Sequence, residues 1–345
     1  MSVTTKQNSF YDNATKPKIG NIYNVDDSRI WASILGTGSP SVIFFSGAGT
    51  VGLDYSEIQK RVAGDSLALI YDRLGTGFSS ECYLPRSSEE VIDELHELLA
   101  VAAVPKPLIL AGHSLGGLYA RHYAKKYEGD VFGLVLLDPA HEDYDRFMPE
   151  ELNRLRNVPT GKDLERKSMA HKQTRRSPGL LVRLANSSFG SAILGLLPIV
   201  AKYQRIYLDL FSEELKDWPA DIREQLIRAH ASAKWLLGGS REAINVYEIY
   251  EEVRRAGPTP DKPTIVLNST QIDGFRRVVL GKETQDLLDK EINGKRNLYR
   301  EYLSCLTDGK LIDVESGHVD MPFRKRDAVV AAIFEMRNKF HDEGS

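Results

Sequence analysis

The sequence predicts an α/β fold, with a mostly parallel sheet, helices on both faces and one long helical insertion. Three observations lead there. Short apolar runs alternate with stretches of helical periodicity, the pattern of strands joined by helical crossovers. The alternation breaks between His141 and Pro260, where charged, helical patterns continue without a clear strand. One apolar run, Leu108 to Ala111, leads straight into Gly112-His113-Ser114-Leu115-Gly116-Gly117, and a helical pattern follows from Leu118 to Tyr127. A chain of 345 residues suits one large domain carrying an insertion, or two ordinary domains.

The elements follow in order. Ile22 to Val25 and Ile30 to Leu35 are expected to form an antiparallel hairpin at the sheet edge, turning at Asp26-Asp27-Ser28. Buried strands are expected at Ser41 to Phe45, Leu67 to Tyr71, Leu108 to Ala111, Val131 to Leu137, Thr264 to Leu267 and Leu311 to Val314. Ser87-Ser88-Glu89-Glu90 reads as a capping box, with Val91, Ile92, Leu95, Leu98 and Leu99 following at helical spacing. A last helix is expected over 326–340, with Val329, Val330, Ile333, Phe334 and Met336 mostly on one side. The interval after the fourth buried strand is too long for a structureless loop. The expected organisation is therefore a core domain over 1–140 and 261–345 and a helical cap over 141–260.

Composition narrows the function. Apolar residues make up 42% of the chain, enough for a sizeable core. A formal net charge of -3 gives no electrostatic reason to expect nucleic acid, and Arg175-Arg176 and Arg324-Lys325-Arg326 read as solvated faces. Two cysteines, Cys82 and Cys305, cannot build the disulfide framework of a small secreted domain. The first twenty residues lack the apolar core of a signal peptide. The most apolar stretch, Gly179 to Ala201, is interrupted by Arg183, Asn186, Ser187 and Ser188 and falls short of a membrane span. A soluble, cytoplasmic protein is expected.

The chemistry centres on Ser114. Gly-x-Ser-x-Gly between a strand and a helix is a nucleophile elbow. The serine sits on a sharp turn, the flanking glycines relieve backbone crowding, and the helix N-terminus behind it favours negative charge. An oxyanion needs two backbone donors. The amide of Leu115, just after the nucleophile, is one candidate, and that of Ala48, in Ser46-Gly47-Ala48-Gly49 after an early strand, is the other. His318, in Ser316-Gly317-His318 after a late strand, is the candidate base. Among the other histidines, His141 at the end of the fourth strand is the competitor, His113 is expected to pack inside the elbow, and His230 to face solvent. Two aspartates compete for the acid. Asp138 ends the strand Val131 to Leu137, and Asp273 follows the strand Thr264 to Leu267. Either could orient the imidazole through its second nitrogen. The scheme calls for no cofactor and no metal.

Together these residues resemble the α/β-hydrolase superfamily over about 30–140 and 262–340. Tyr71-Asp72-Arg73-x-Gly75-x-Gly77-x-Ser79, Gly112-His113-Ser114-x-Gly116-Gly117, Gly133 to Asp138 and Ser316-Gly317-His318 look like a bacterial-type branch of serine hydrolases. In that branch the segment after the later strand often lacks a dependable acid. Leu137-Asp138-Pro139-Ala140 also resembles the acid-bearing turn of pancreatic-type lipases. Both comparisons favour Asp138, whereas the general superfamily pattern favours Asp273. The serine argues against branches with an aspartate nucleophile, such as epoxide hydrolases and haloalkane dehalogenases. The resemblance implies esterase, lipase, lactonase or thioesterase chemistry, and does not choose among them. The leading expectation is a serine carboxylic ester hydrolase acting on a small-molecule substrate. A receptor-type relative with little turnover, or a cofactor-free lyase or perhydrolase using the same triad, is the alternative. The cap sequences Gly179 to Ala185 and Ser191 to Val200 suggest an apolar acyl pocket at Leu194 and Leu197.

Overall fold

The apolar runs form eight strands of a single sheet. They are β1 (Asn21–Val25), β2 (Ser28–Leu35), β3 (Ser41–Phe45), β4 (Ala68–Tyr71), β5 (Leu108–His113), β6 (Val131–Leu137), β7 (Thr264–Ser269) and β8 (Gly309–Val314). The computed structural model describes residues 18–82, 85–155, 198–230, 238–239, 241–274, 276–277 and 285–343. Residues 179–197, including Leu194 and Leu197, lie outside the described residues.

The strand order is β1-β2-β4-β3-β5-β6-β7-β8. From β4 to β8 all neighbours are parallel, and β1 and β2 form the expected antiparallel edge hairpin. Asp26 turns that hairpin with φ of 48°. Both faces of the sheet are covered. Alternate residues of each strand pack against helices on opposite sides: Ile43, Phe45, Leu108 and Leu110 in one cluster, Val42, Phe44, Ile109 and Ala111 in the other. That is why the central strands read as unbroken apolar runs.

The first face is covered by helices α1 (Ser88–Val101) and α2 (Leu115–Lys126) and by the helix Gln285–Ser304, and the helix Val246–Arg255 packs on α1 and α2. Helix α1 begins with the expected capping box: the Ser87 hydroxyl accepts from the Glu90 amide at 3.1 Å, and the Glu90 carboxylate accepts from the Ser87 amide at 2.8 Å. The second face is covered by the helices Ser56–Val62 and Arg326–Glu343, and Pro198–Glu214 and Ala220–His230 extend the same apolar cluster.

Between β6 and β7 the described residues form helices joined by turns and irregular segments and contain no strand. Part of this interval joins the core layers. Val246–Arg255 buries Ile249, Tyr250 and Val253 against the sheet-side cluster. Ala220–His230 buries Ile222, Leu226 and His230, spaced four residues apart on one face. His230 was expected to face solvent. Instead it is fully buried, 2.6 Å from the Asp54 carboxylate and stacked on Tyr207.

Candidate active site

Parallel strands deliver their C-terminal ends to one edge of the sheet, and the loops there converge. The register makes the convergence specific. Phe45 pairs with Gly112, His113 with Leu137, and Leu137 with Leu267, so the ends of β3, β5, β6 and β7 lie side by side.

At the end of β5 the chain turns sharply. Ser114 adopts φ of 53° and ψ of -121°, a strained conformation for a residue with a side chain. Two glycines permit the turn. A Cβ on Gly116 would lie 2.2 Å from the Phe45 carbonyl, and one on Gly112 would lie 2.8 Å from the Gly116 carbonyl. The turn is held by the Ser114 amide, which donates to the Leu137 carbonyl at 3.2 Å.

The structure brings Ser114, His318 and Asp138 together. His318 Nε2 lies 2.8 Å from Ser114 Oγ, and its Nδ1 lies 2.7 Å from Asp138 Oδ2. Asp138 is buried. Burial alone would raise its carboxyl, but the Lys295 ammonium and the hydrogen bonds from His318 and Ser269 outweigh burial and hold it well below the usual carboxylate range. The Ser269 hydroxyl donates to Oδ2 at 2.5 Å, and the Tyr299 hydroxyl lies 3.2 Å from Oδ1.

Asp273 is also buried nearby, but its carboxylate meets backbone and not imidazole. It accepts from the Val319 amide at 2.8 Å and from the Arg276 amide at 2.8 Å. It thereby anchors the loop that carries His318. His141, the other candidate base, packs beside Tyr302 with ring centroids 5.3 Å apart and accepts from the Asp143 amide at 3.1 Å. His113 has a part that sequence reasoning missed. Its Nε2 lies 2.8 Å from the His318 carbonyl. Burial, and next the neighbouring His318, push His113 down to about 3, so it is neutral and donates that bond.

Leu115 opens α2, so its amide has no acceptor within the helix. Ala48 faces the same cavity, and its loop is braced on both sides. The buried Arg73 guanidinium donates to the carbonyls of Ser46 at 2.6 Å and Gly47 at 2.9 Å. Glu242 pairs with Arg73 at 2.9 Å and accepts from the Gly49 amide at 2.9 Å. A glutamate from the interval between β6 and β7 thus fixes the loop at the end of β3. Glu242→Ala is expected to destabilise the protein by about 3–5 kcal/mol, because it leaves a buried guanidinium without its counter-charge. Urea denaturation measures this. A loss under about 1 kcal/mol would mean that the carbonyls alone hold Arg73.

Beside Ser114 lies a cavity of about 370 Å³. Its lining includes Ala48, Leu115, Ala140, Val246, Ile272 and Val319. One wall is a single helix face, made by Leu288, Glu291, Ile292, Lys295 and Tyr299 of Gln285–Ser304. Among the described residues, no three His, Cys, Asp or Glu side chains cluster as a metal site. None of the described helices is long and apolar enough to cross a membrane.

A parallel sheet with a strained serine elbow at its centre and a histidine on its last loop defines the α/β-hydrolase class. The profile of the Alpha/beta hydrolase family matches residues 42–332, and the chain belongs to that family. It is similar to the uncharacterized protein YqjL of Bacillus subtilis, 31% identical over 121 residues, covering 34% of this chain and 48% of that one. It is also similar to the human (lyso)-N-acylphosphatidylethanolamine lipase, 35% identical over 105 residues, covering 29% of this chain and 30% of the lipase. The matched region thus spans about half the length of the first of these relatives and less of the second. Among solved structures, the epoxide hydrolase CorEH matches 93% of this chain and 99% of its own, with a TM-score of 0.60 and 14% identity. That likeness extends to the fold.

Proposed function

We propose that this α/β hydrolase is a serine hydrolase that cleaves a carboxylic ester, or a related lactone or thioester, through an acyl-enzyme on Ser114. The observation that carries the reading is the single imidazole bridging Ser114 Oγ at 2.8 Å and Asp138 Oδ2 at 2.7 Å. In this scheme His318 Nε2 takes the proton of Ser114 as its oxygen attacks the carbonyl carbon. The amides of Leu115 and Ala48 receive the oxyanion. Collapse of the tetrahedral adduct expels the alcohol, which leaves with the proton from His318. Water, deprotonated by the same imidazole, then attacks the acyl-enzyme and frees the acid and Ser114. Asp138 orients the imidazole and offsets its charge when it is protonated.

The apolar lining beside Ser114 supports a small-molecule ester with an apolar acyl group, and the lipase among the relatives supports ester chemistry. We assign 1–140 and 261–345 to the core and 141–260 to the cap that sets the substrate, with Val246–Arg255 packed into the core layer. Cys82 and Cys305 are free thiols, which supports a cytoplasmic setting.

A series of p-nitrophenyl esters from acetate to octanoate tests the reading. Hydrolysis is expected, with kcat/KM rising as the acyl chain lengthens, up to about fourfold per buried methylene. Turnover of epoxides or anilides with none of any ester would sink the proposal. A preference for acetate over every longer ester would remove the apolar acyl pocket.

A further inference from the structure

Lys295 is a buried charge on the helix Gln285–Ser304. It lies in phase with Leu288, Ile292 and Tyr299, on the face turned to the cavity, and it is 8% exposed. Burying an ammonium is costly unless it is paired and hydrogen-bonded. Here every contact points to one place. Its Nζ lies 2.9 Å from both oxygens of Asp138, 2.7 Å from the Ser269 hydroxyl and 3.1 Å from the Ser269 carbonyl.

We propose that Lys295 is a positioning residue of the Ser114–His318–Asp138 triad: it clamps the Asp138 carboxylate through both oxygens, holds it against His318 and offsets its charge. The inference rests on the serine-hydrolase reading of the site. Its physical basis is simple. A carboxylate 2.7 Å from the imidazole attracts a proton onto His318, and a cation 2.9 Å behind that carboxylate opposes the attraction. The clamp also holds the carboxylate in one orientation. With Lys295 across both oxygens and Ser269 on Oδ2, the carboxylate cannot rotate away from His318 without losing those bonds.

The other groups around the imidazole and its carboxylate are Ser114 and His113 at the end of β5, which meet His318 directly, Asp138 after β6, Tyr299, which bonds Asp138, and Asp273, which accepts from the Val319 amide beside His318. Farther along the same wall, Glu291 is paired with Arg276 at 2.5 Å.

The test is the rate of fluorophosphonate labelling of the full chain as a function of pH, which needs no knowledge of the natural substrate. Labelling requires the unprotonated base, so the rate falls on the acid side as His318 takes a proton. In Lys295→Gln, which keeps a polar end and removes the charge, that acid limb is expected at higher pH. The sign follows because removing a cation favours the protonated imidazole. Lys295→Arg keeps the charge, and its limb is expected to stay at the wild-type position. Coincident limbs for wild type and Lys295→Gln would overturn the proposal, as would an equal shift in both variants. Lys295→Met provides a second neutral side chain should the glutamine variant fail to fold. Failure of both neutral variants to fold would assign Lys295 to stability alone and also overturn the proposal. A wild-type protein that takes no label at any pH refutes the serine-hydrolase reading itself, which separates the two outcomes.

Discussion

Ser114→Ala is expected to lower turnover of a p-nitrophenyl ester by about 10⁶-fold while leaving the protein folded. The hydroxyl contributes one hydrogen bond, to His318 Nε2, so its removal costs about 1 kcal/mol of stability at most. The covalent route is lost, because no atom remains to carry the acyl group. The elbow geometry is set by Gly112, Gly116 and the backbone bond to Leu137, none of which the substitution touches. Any residual rate comes from the oxyanion donors and substrate positioning. Steady-state kinetics beside a urea titration separates loss of chemistry from loss of fold. Wild-type turnover in the alanine variant would remove Ser114 from the mechanism.

Asp138→Asn is expected to reduce kcat by about 10⁴-fold, and Asp273→Asn by no more than about tenfold. At position 138 an amide can present its NH₂ group to the imidazole and favour the wrong tautomer. It also leaves the Lys295 ammonium buried without a counter-charge, so a loss of about 3–5 kcal/mol in stability should accompany the loss of rate. At position 273 the carboxylate accepts two backbone amides, and asparagine keeps one good acceptor. The expected effect there is a looser His318 loop. Steady-state kinetics on both variants decides it, and the reverse ranking would move the acid role to Asp273.

These two aspartates mark the limit of what the sequence makes legible. Both follow strands with apolar runs, and both precede the late histidine. Chain order therefore brings each within reach of the imidazole. The distinction lies in register and loop direction: β6 and β7 are neighbours, Asp138 begins a turn with φ of 42°, and Asp273 reaches the amide next to His318. No local pattern encodes those facts. The strands themselves were legible because a parallel sheet covered on both faces demands unbroken apolar runs, as at Ser41–Phe45 and Leu108–His113. The elbow was legible because glycines and serine must be adjacent in sequence to make it.

The supporting residues were not legible for a related reason. Lys295 is 157 positions from Asp138, Glu242 is 169 from Arg73, and His113 is 205 from His318. Such pairs exist only once the sheet has gathered its loops. Lys295 did leave one trace, a charge in phase with the apolar face of its helix. His230 left the opposite trace. Its helix is rich in charge, yet its position four residues after Leu226 puts it on the buried side.

If Ser114 is the nucleophile, a fluorophosphonate will capture it covalently. Purified protein treated with a fluorophosphonate should gain one adduct per chain by intact mass. Peptide mapping should place that adduct on Ser114, and the Ser114→Ala variant should gain none. Wild-type protein that stays unmodified, or that carries the adduct on another residue, would exclude Ser114 as the nucleophile.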